Sequence, residues 1–309
     1  KNLKNRSKDK LLVASSDGVY ETNEFASRRI IKGTATKLFQ SRINPDKIYA
    51  ALDYGIEQID VSYNKDEIVF TPKGKLEGYN ERTTSIDEDK DSSLWITTEF
   101  SGVFNIKSNA RKDNKTKQNI KSPLYKITVY DTANGLPQSY STIYPCLGKL
   151  LFISEDGIYL HNPFCSKMSG AKNVFVKINS LPFGYFTDRF IISYLMEDSK
   201  GNLWLHLKSK YDSKKFLAAA FIQKDSTYSV NINSFRPIPQ MDVYAILPEK
   251  TNVTWFTGDD GLFKYDGNIK NNYYQEFHAL IRKVVLENDS VIFSGNYFKE
   301  INDSNECSG

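Results

Sequence analysis

The sequence predicts an all-β chain folded as a β-propeller of four-stranded antiparallel blades. Three observations carry this. A short motif recurs along the chain every 37 to 55 residues or so, which is the signature of a solenoid or propeller. Each copy reads as strand, polar turn, strand, Gly turn, strand, with apolar residues alternating at period two. No stretch of 12 or more residues carries a 3.6-residue period before roughly the last 30. Four strands per unit of this length match propeller blades. A sandwich would not repeat its sequence so regularly.

In chain order, residues 1–10, KNLKNRSKDK, are polar and lead directly into a strand. With no initiator Met and no secretory signal, this end reads as a cut. Six copies then align on a bulky residue followed by a Gly. The pairs Leu12 and Gly18, Tyr49 and Gly55, Leu151 and Gly157, and Trp255 and Gly261 are each six apart, whereas Trp95 and Gly102 are seven apart. Trp204 belongs by its flanking residues, EDSKGNLW, but its hairpin runs through KSKYDSKK without the Gly. A tight turn often needs positive φ, which Gly adopts without steric penalty. Apolar residues follow the Gly: Val19, Ile56, Val103, Ile158 and Leu262. An acid stands six positions before each Trp, as Asp89, Asp198 and Glu249, and opens a polar turn.

Four strands per unit are expected near 140–145, 150–154, 157–161 and 173–178, then near 189–197, 203–208, 216–222 and 228–235. Trp95, Trp204 and Trp255 are expected to pack between neighbouring blades, each large apolar side chain stabilising by about 1.5–3 kcal/mol when buried. The first copy lacks its leading strand. Six blades are therefore visible, in a propeller occupying residues 1–272. Residues 107–122 are polar and basic and read as a long exposed loop. No aromatics are interleaved there, which argues against nucleic acid. From about residue 277 the repeat stops, and two strand-like runs surround Glu287-Asn288-Asp289-Ser290. Residues 273–309 are thus expected to be a linker and the first hairpin of another β domain.

Lys and Arg number 41 against 37 Asp and Glu, a net charge of +4 spread over the chain, too mild to imply nucleic acid. No run approaches the ~18 apolar residues of a membrane helix. Cys146 and Cys165 lie symmetrically about the turn Glu155-Asp156-Gly157. A disulfide and two unrelated thiols both remain open there. The odd count of three cysteines leaves at least one unpaired in a monomer.

Catalytic signatures are missing from the sequence. His161, His206 and His278 fall in separate units without metal-ligand spacing. Asp87, Asp89 and Asp91 imitate a calcium loop, but its sixth position is Ser92 and its twelfth is Thr98. No metal, cofactor or catalytic residue is expected, and no ligand residue can be singled out.

The segments TANGLPQSYSTI at 132–143, IDEDKDSSLWITTEFSGVFNI at 86–106, MEDSKGNLWL at 196–205 and TWFTGDDGLFKYD at 254–266 resemble the two-component regulator propeller repeats of bacterial sensor proteins. ALIRKVVLENDSVIFSG at 279–295 resembles the entry to the triple-tyrosine (Y_Y_Y) immunoglobulin-like domain that follows them. The resemblance implies a periplasmic sensor region, often of a glycan sensor, joined through a membrane span to an output such as a histidine kinase. It also implies a seven-bladed ring and, for the complete protein, a homodimer. Fold does not settle function. A propeller enzyme (glycoside hydrolase or lyase) would show a funnel of clustered acids. A protein-interaction propeller would show a broad apolar face, and a sensor a groove of aromatics and amides.

Overall fold

The computed structural model describes residues 10–64, 67–109, 124–138, 141–163, 174–179, 182–269, 283–287 and 289–294. The chain separates into two compact units, Lys1–Ile269 and Lys270–Gly309. In the first, six antiparallel sheets follow one another in chain order. The first sheet holds β1 (Leu11–Ser15), β2 (Gly18–Thr22) and β3 (Ser27–Lys32). The second holds β4 (Ala35–Gln40), β5 (Lys47–Leu52), β6 (Gly55–Asn64) and β7 (Glu67–Lys75). The third holds β8 (Thr83–Glu88), β9 (Leu94–Thr98), β10 (Val103–Ser108) and β11 (Tyr125–Tyr130). The fourth holds β12 (Thr142–Cys146), β13 (Lys149–Ser154), β14 (Gly157–His161) and β15 (Phe175–Ile178). The fifth holds β16 (Phe190–Glu197), β17 (Leu203–Ser209), β18 (Lys215–Ile222) and β19 (Tyr228–Asn231). The sixth holds β20 (Val243–Pro248), β21 (Val253–Gly258) and β22 (Gly261–Asp266).

This is a β-propeller. Each complete sheet meanders in sequence order, and the leading strands pack in succession, β4 on β8, β8 on β12, β12 on β16 and β16 on β20. In the first sheet β1 takes the second-strand position, because Gly18 opens β2 as Gly55 opens β6. Among the described residues no comparable contact joins the sixth blade to the first. In the second unit, β23 (Lys283–Val285) and β24 (Val291–Ser294) pair as an antiparallel hairpin.

Five buried clusters hold the blades together, one at each successive junction. Val19 and Ile31 meet Ala50 and Ile59; Tyr49 and Ile56 meet Ile86 and Ile96; Trp95 and Val103 meet Ile143 and Phe152. Leu151 and Ile158 then meet Leu195 and Leu205, and Trp204 and Leu217 meet Ile246 and Phe256. The bulky repeat residue therefore faces the following blade, and its successor faces the preceding one. That division follows from side chains alternating between the two sheet faces.

Two expectations need correction. Trp255 and Leu262 occupy the positions that face a following blade, but no such blade follows among the described residues. Trp255 is half-buried and Leu262 is 64% exposed, whereas Val19, Ile56, Val103 and Ile158 are at most 2% exposed. Second, the recurring Gly is not always there for its φ. Gly55, Gly102, Gly157 and Gly261 do have positive φ, but Gly18 does not. At Gly18 the reason is close approach, since a Cβ there would lie 2.3 Å from the Ile31 carbonyl oxygen. In the fifth blade Ser213 takes the left-handed position instead, at φ 58.

One recurring device was not legible in the pattern. The leading strand slips register between Ala35 and Lys37, Thr83 and Ser85, Ile192 and Tyr194, and Val243 and Ala245. Such a bulge bends its strand and increases the local twist, here at the strand that packs against the neighbouring blades.

Candidate functional site

The acid six residues before each Trp opens the turn between the first and second strands. The Asp89 N–H donates to the Ser93 carbonyl at 3.0 Å, Asp198 to Asn202 at 2.9 Å and Glu249 to Val253 at 2.7 Å. The same acid has a second role in two copies. The Trp204 indole N–H donates to Asp198 Oδ2 at 3.2 Å, and that of Trp255 to Glu249 Oε1 at 2.7 Å. Trp95 breaks this rule. Its indole nitrogen is buried without an acceptor among the described residues. Asp89 Oδ1 instead accepts from the Lys90 backbone N–H at 2.7 Å.

Around Trp95 the third and fourth blades build an aromatic box. Tyr130 stacks on the indole at 5.5 Å between ring centres, His161 tilts onto it at 4.7 Å, and Phe152 meets it edge-on at 5.4 Å. Phe175 closes the cluster against Phe152 at 5.0 Å and His161 at 5.3 Å. Burial pushes the His161 imidazole below its ordinary range; Asp89 pulls it back up and Lys107 pushes it further down. His161 therefore sits in the box as a neutral ring at pH 7.

A cavity of about 410 Å³ opens beside the box. Trp95, Phe152 and His161 supply its aromatic wall, and Leu150, Leu160, Val176 and Ile178 its aliphatic wall. Asp89, Lys90, Lys149 and Asn162 supply the polar groups. Neither Lys90 nor Lys149 enters an ion pair among the described residues. The Lys90 Nζ lies over the Leu147-Gly148 turn, 3.8 Å from where a Gly148 Cβ would stand. A mostly apolar wall with a few placed polar groups is the ordinary make-up of a small-molecule site.

An adjoining groove of about 470 Å³ runs across the first-to-second-strand turns of the second to fifth blades, from Arg42 to Ser199. Its two glutamates are already engaged. Glu88 Oε2 accepts from Ser41 Oγ at 2.8 Å, the Arg42 N–H at 2.9 Å and the Ile43 N–H at 3.2 Å. Arg42 also pairs with Asp87. Glu197 Oε2 accepts from the Leu147 N–H at 2.6 Å. Both glutamates stand seven residues before a Trp and tie their blade to the turn of the blade before it. Aligning one column further upstream would have exposed them; the sixth copy has Pro248 there.

The three acids that imitate a calcium loop point to three separate tasks. Asp87 pairs with Arg42, Asp89 lines the cavity and Asp91 pairs with Lys107. His206 is buried on β17 with Ser193 Oγ at 2.6 Å from its Nδ1, and His278 lies outside the described residues. Cys146 ends β12, across the 147–148 turn from β13, so it does not extend the β13–β14 hairpin towards residue 165. Its thiol is free and buried, and burial pushes it up to about 12, which leaves it protonated and inert. Cys165, and residues 110–122 of the basic loop, lie outside the described residues.

The turn beside the cavity is strained. Leu147 is 41% exposed and sits at φ 52, followed by Gly148 at φ 69. Leu is a poor residue for the left-handed region, whereas Asn tolerates it. Leu147→Asn is therefore expected to raise stability by about 0.5–1 kcal/mol, measured as a higher urea midpoint at unchanged slope.

No family model matches the sequence, and no curated protein matches it. Among solved structures the chain is similar to the Dos1 propeller, with 11% identity, a TM-score of 0.43, and 85% of this chain and 70% of that one covered. The sheets themselves show the fold, an all-β propeller.

Proposed function

We propose that this chain is the ligand-recognition propeller of a bacterial two-component sensor, exposed outside the cytoplasm, and that the cavity between its third and fourth blades takes a saccharide. The observation that carries the reading is the departure at Trp95. Features repeated in every blade build the ring. Here the repeat's own indole hydrogen bond is given up, and the freed Asp89 lines a cavity with aromatic, ammonium and amide groups. A pyranose has an apolar face that suits an aromatic wall and an edge of hydroxyls that suits Asp89, Lys90 and Lys149. The sensor assignment rests on the repeat resemblance in the sequence. A glycosidase would need two carboxyl groups about 5–10 Å apart facing one sugar. In the groove Glu88 and Glu197 are instead committed to the neighbouring turn.

In this mechanism the ligand contacts two blades at once. Its binding would favour one arrangement of a homodimeric receptor through differential affinity, relayed towards a membrane-linked output. Calorimetric titration of the chain with an oligosaccharide library tests the reading. One class should bind, and Lys90→Ala with Lys149→Ala should weaken it about tenfold, a loss of about 1.4 kcal/mol. Failure of every saccharide to bind, or equal affinity in the double variant, would sink it.

A further inference from the structure

The turns between second and third strands all lie on one rim. Each blade meanders in the same direction, and each returns from its outer strand to the next leading strand, so equivalent turns repeat on the same side. Three of these turns present a large aromatic side chain to solvent: Tyr54 is 74% exposed, Phe100 90% and Tyr211 81%. Singly exposed aromatics are unremarkable. Three at the same structural position, in the second, third and fifth blades, are a pattern.

The same turns are biased in charge. Each of the six carries at least one carboxylate, from Asp17 in the first to Asp260 in the sixth, eight in all against two lysines, Lys210 and Lys214, both in the fifth turn. Some of these acids have ion-pair partners in adjoining strands or connections, such as Arg82 with Glu99 at 3.3 Å. In the fourth and sixth turns, Asp156 and Asp260 enter no ion pair among the described residues. The opposite rim is more evenly mixed, since its first-to-second-strand turns hold both signs in four blades, with Asp89 beside Lys90 and Glu249 beside Lys250.

We infer that this rim docks a lysine- and arginine-bearing polypeptide surface. Exposed rings beside carboxylates attract ammonium and guanidinium groups both through the ring face and through charge. The span decides the size of the partner. The second and fifth blades are three blades apart, and stacked sheets lie about 10 Å from one another, so one occupant touching Tyr54, Phe100 and Tyr211 must be macromolecular. This surface is independent of the saccharide cavity, which opens on the opposite rim.

The test uses the whole chain and a fluorescent Arg-Ser decapeptide repeat, with a Glu-Ser repeat as the control probe. The cationic probe should bind and the anionic one should not. Tyr54→Ser, Phe100→Ser and Tyr211→Ser together, which leave the net charge unchanged, should weaken binding at least fivefold. Asp156→Asn with Asp260→Asn should weaken it further, and Lys90→Ala with Lys149→Ala should leave it unchanged. All these side chains are exposed or line the cavity rim, so folding is checked by an unchanged melting temperature. Equal affinity in the aromatic triple variant would reduce the rim to non-specific charge attraction and overturn the inference. Displacement of the probe by a neutral oligosaccharide would overturn it as well.

Discussion

Replacing Glu88 with Ala is expected to destabilise the propeller by about 2–4 kcal/mol, one of the largest effects of any single polar substitution. The carboxylate stands at the end of β8 and is buried, yet all the donors it satisfies belong to the preceding blade. Ser41 Oγ, the Arg42 N–H and the Ile43 N–H converge on it, and Ser41 is itself buried at 3% exposure. Truncation removes the acceptor and leaves the donors. A buried donor stranded this way costs about 1–3 kcal/mol, whereas an exposed one recovers a water partner. Hence the total falls short of three full penalties. Glu197 makes the equivalent contact to one N–H, that of Leu147 at 2.6 Å, so Glu197→Ala should cost about 1 kcal/mol. Urea denaturation of the two variants checks both the size and the order. Equal losses would mean that the Ser41–Ile43 turn relaxes to water without penalty, and that the blades are held by their apolar clusters alone.

Those contacts also mark where sequence reasoning stops. Gly102 signals its turn because a local constraint, φ 82, selects the residue. Strands such as β13 and β17 follow from period-two alternation, which is local as well. Glu88 and Ser41 are 47 residues apart, and Glu197 and Leu147 are 50 apart. Nothing in the neighbourhood of either residue specifies its partner; only the blade-to-blade register does. The cavity was hidden for the same reason. Asp89 and Trp95 fit the repeat pattern as well as Asp198 and Trp204 do. The difference lies in which acceptor the side chain of Trp95 reaches, a choice made in three dimensions. The exposed Leu262 was hidden differently: its alternation is that of a buried strand, yet no neighbour covers it among the described residues.

The three tryptophans turn this difference into a graded series. Trp95→Ala and Trp204→Ala should each cost about 3–5 kcal/mol, because each ring fills a closed junction between two blades and is at most 4% exposed. Trp255→Ala should cost only about 1 kcal/mol, since no following blade packs on it among the described residues and water already reaches the site. Substitution by Phe separates packing from hydrogen bonding. At Trp204 it leaves a small void and also removes the bond to Asp198, a charge-assisted contact worth about 1.5–3 kcal/mol in a buried setting. At Trp95 it leaves a similar void but deletes an N–H that has no acceptor among the described residues, so part of the packing loss is offset. Trp95→Phe should therefore be milder than Trp204→Phe by about 1–2 kcal/mol, read from paired thermal and urea unfolding. If Trp95→Phe proves the costlier of the two, its N–H has a partner in the free protein and the break in repeat chemistry disappears. If it is milder yet weakens saccharide binding, the indole is retained for the ligand at a position where the fold alone would be better served by a phenyl ring.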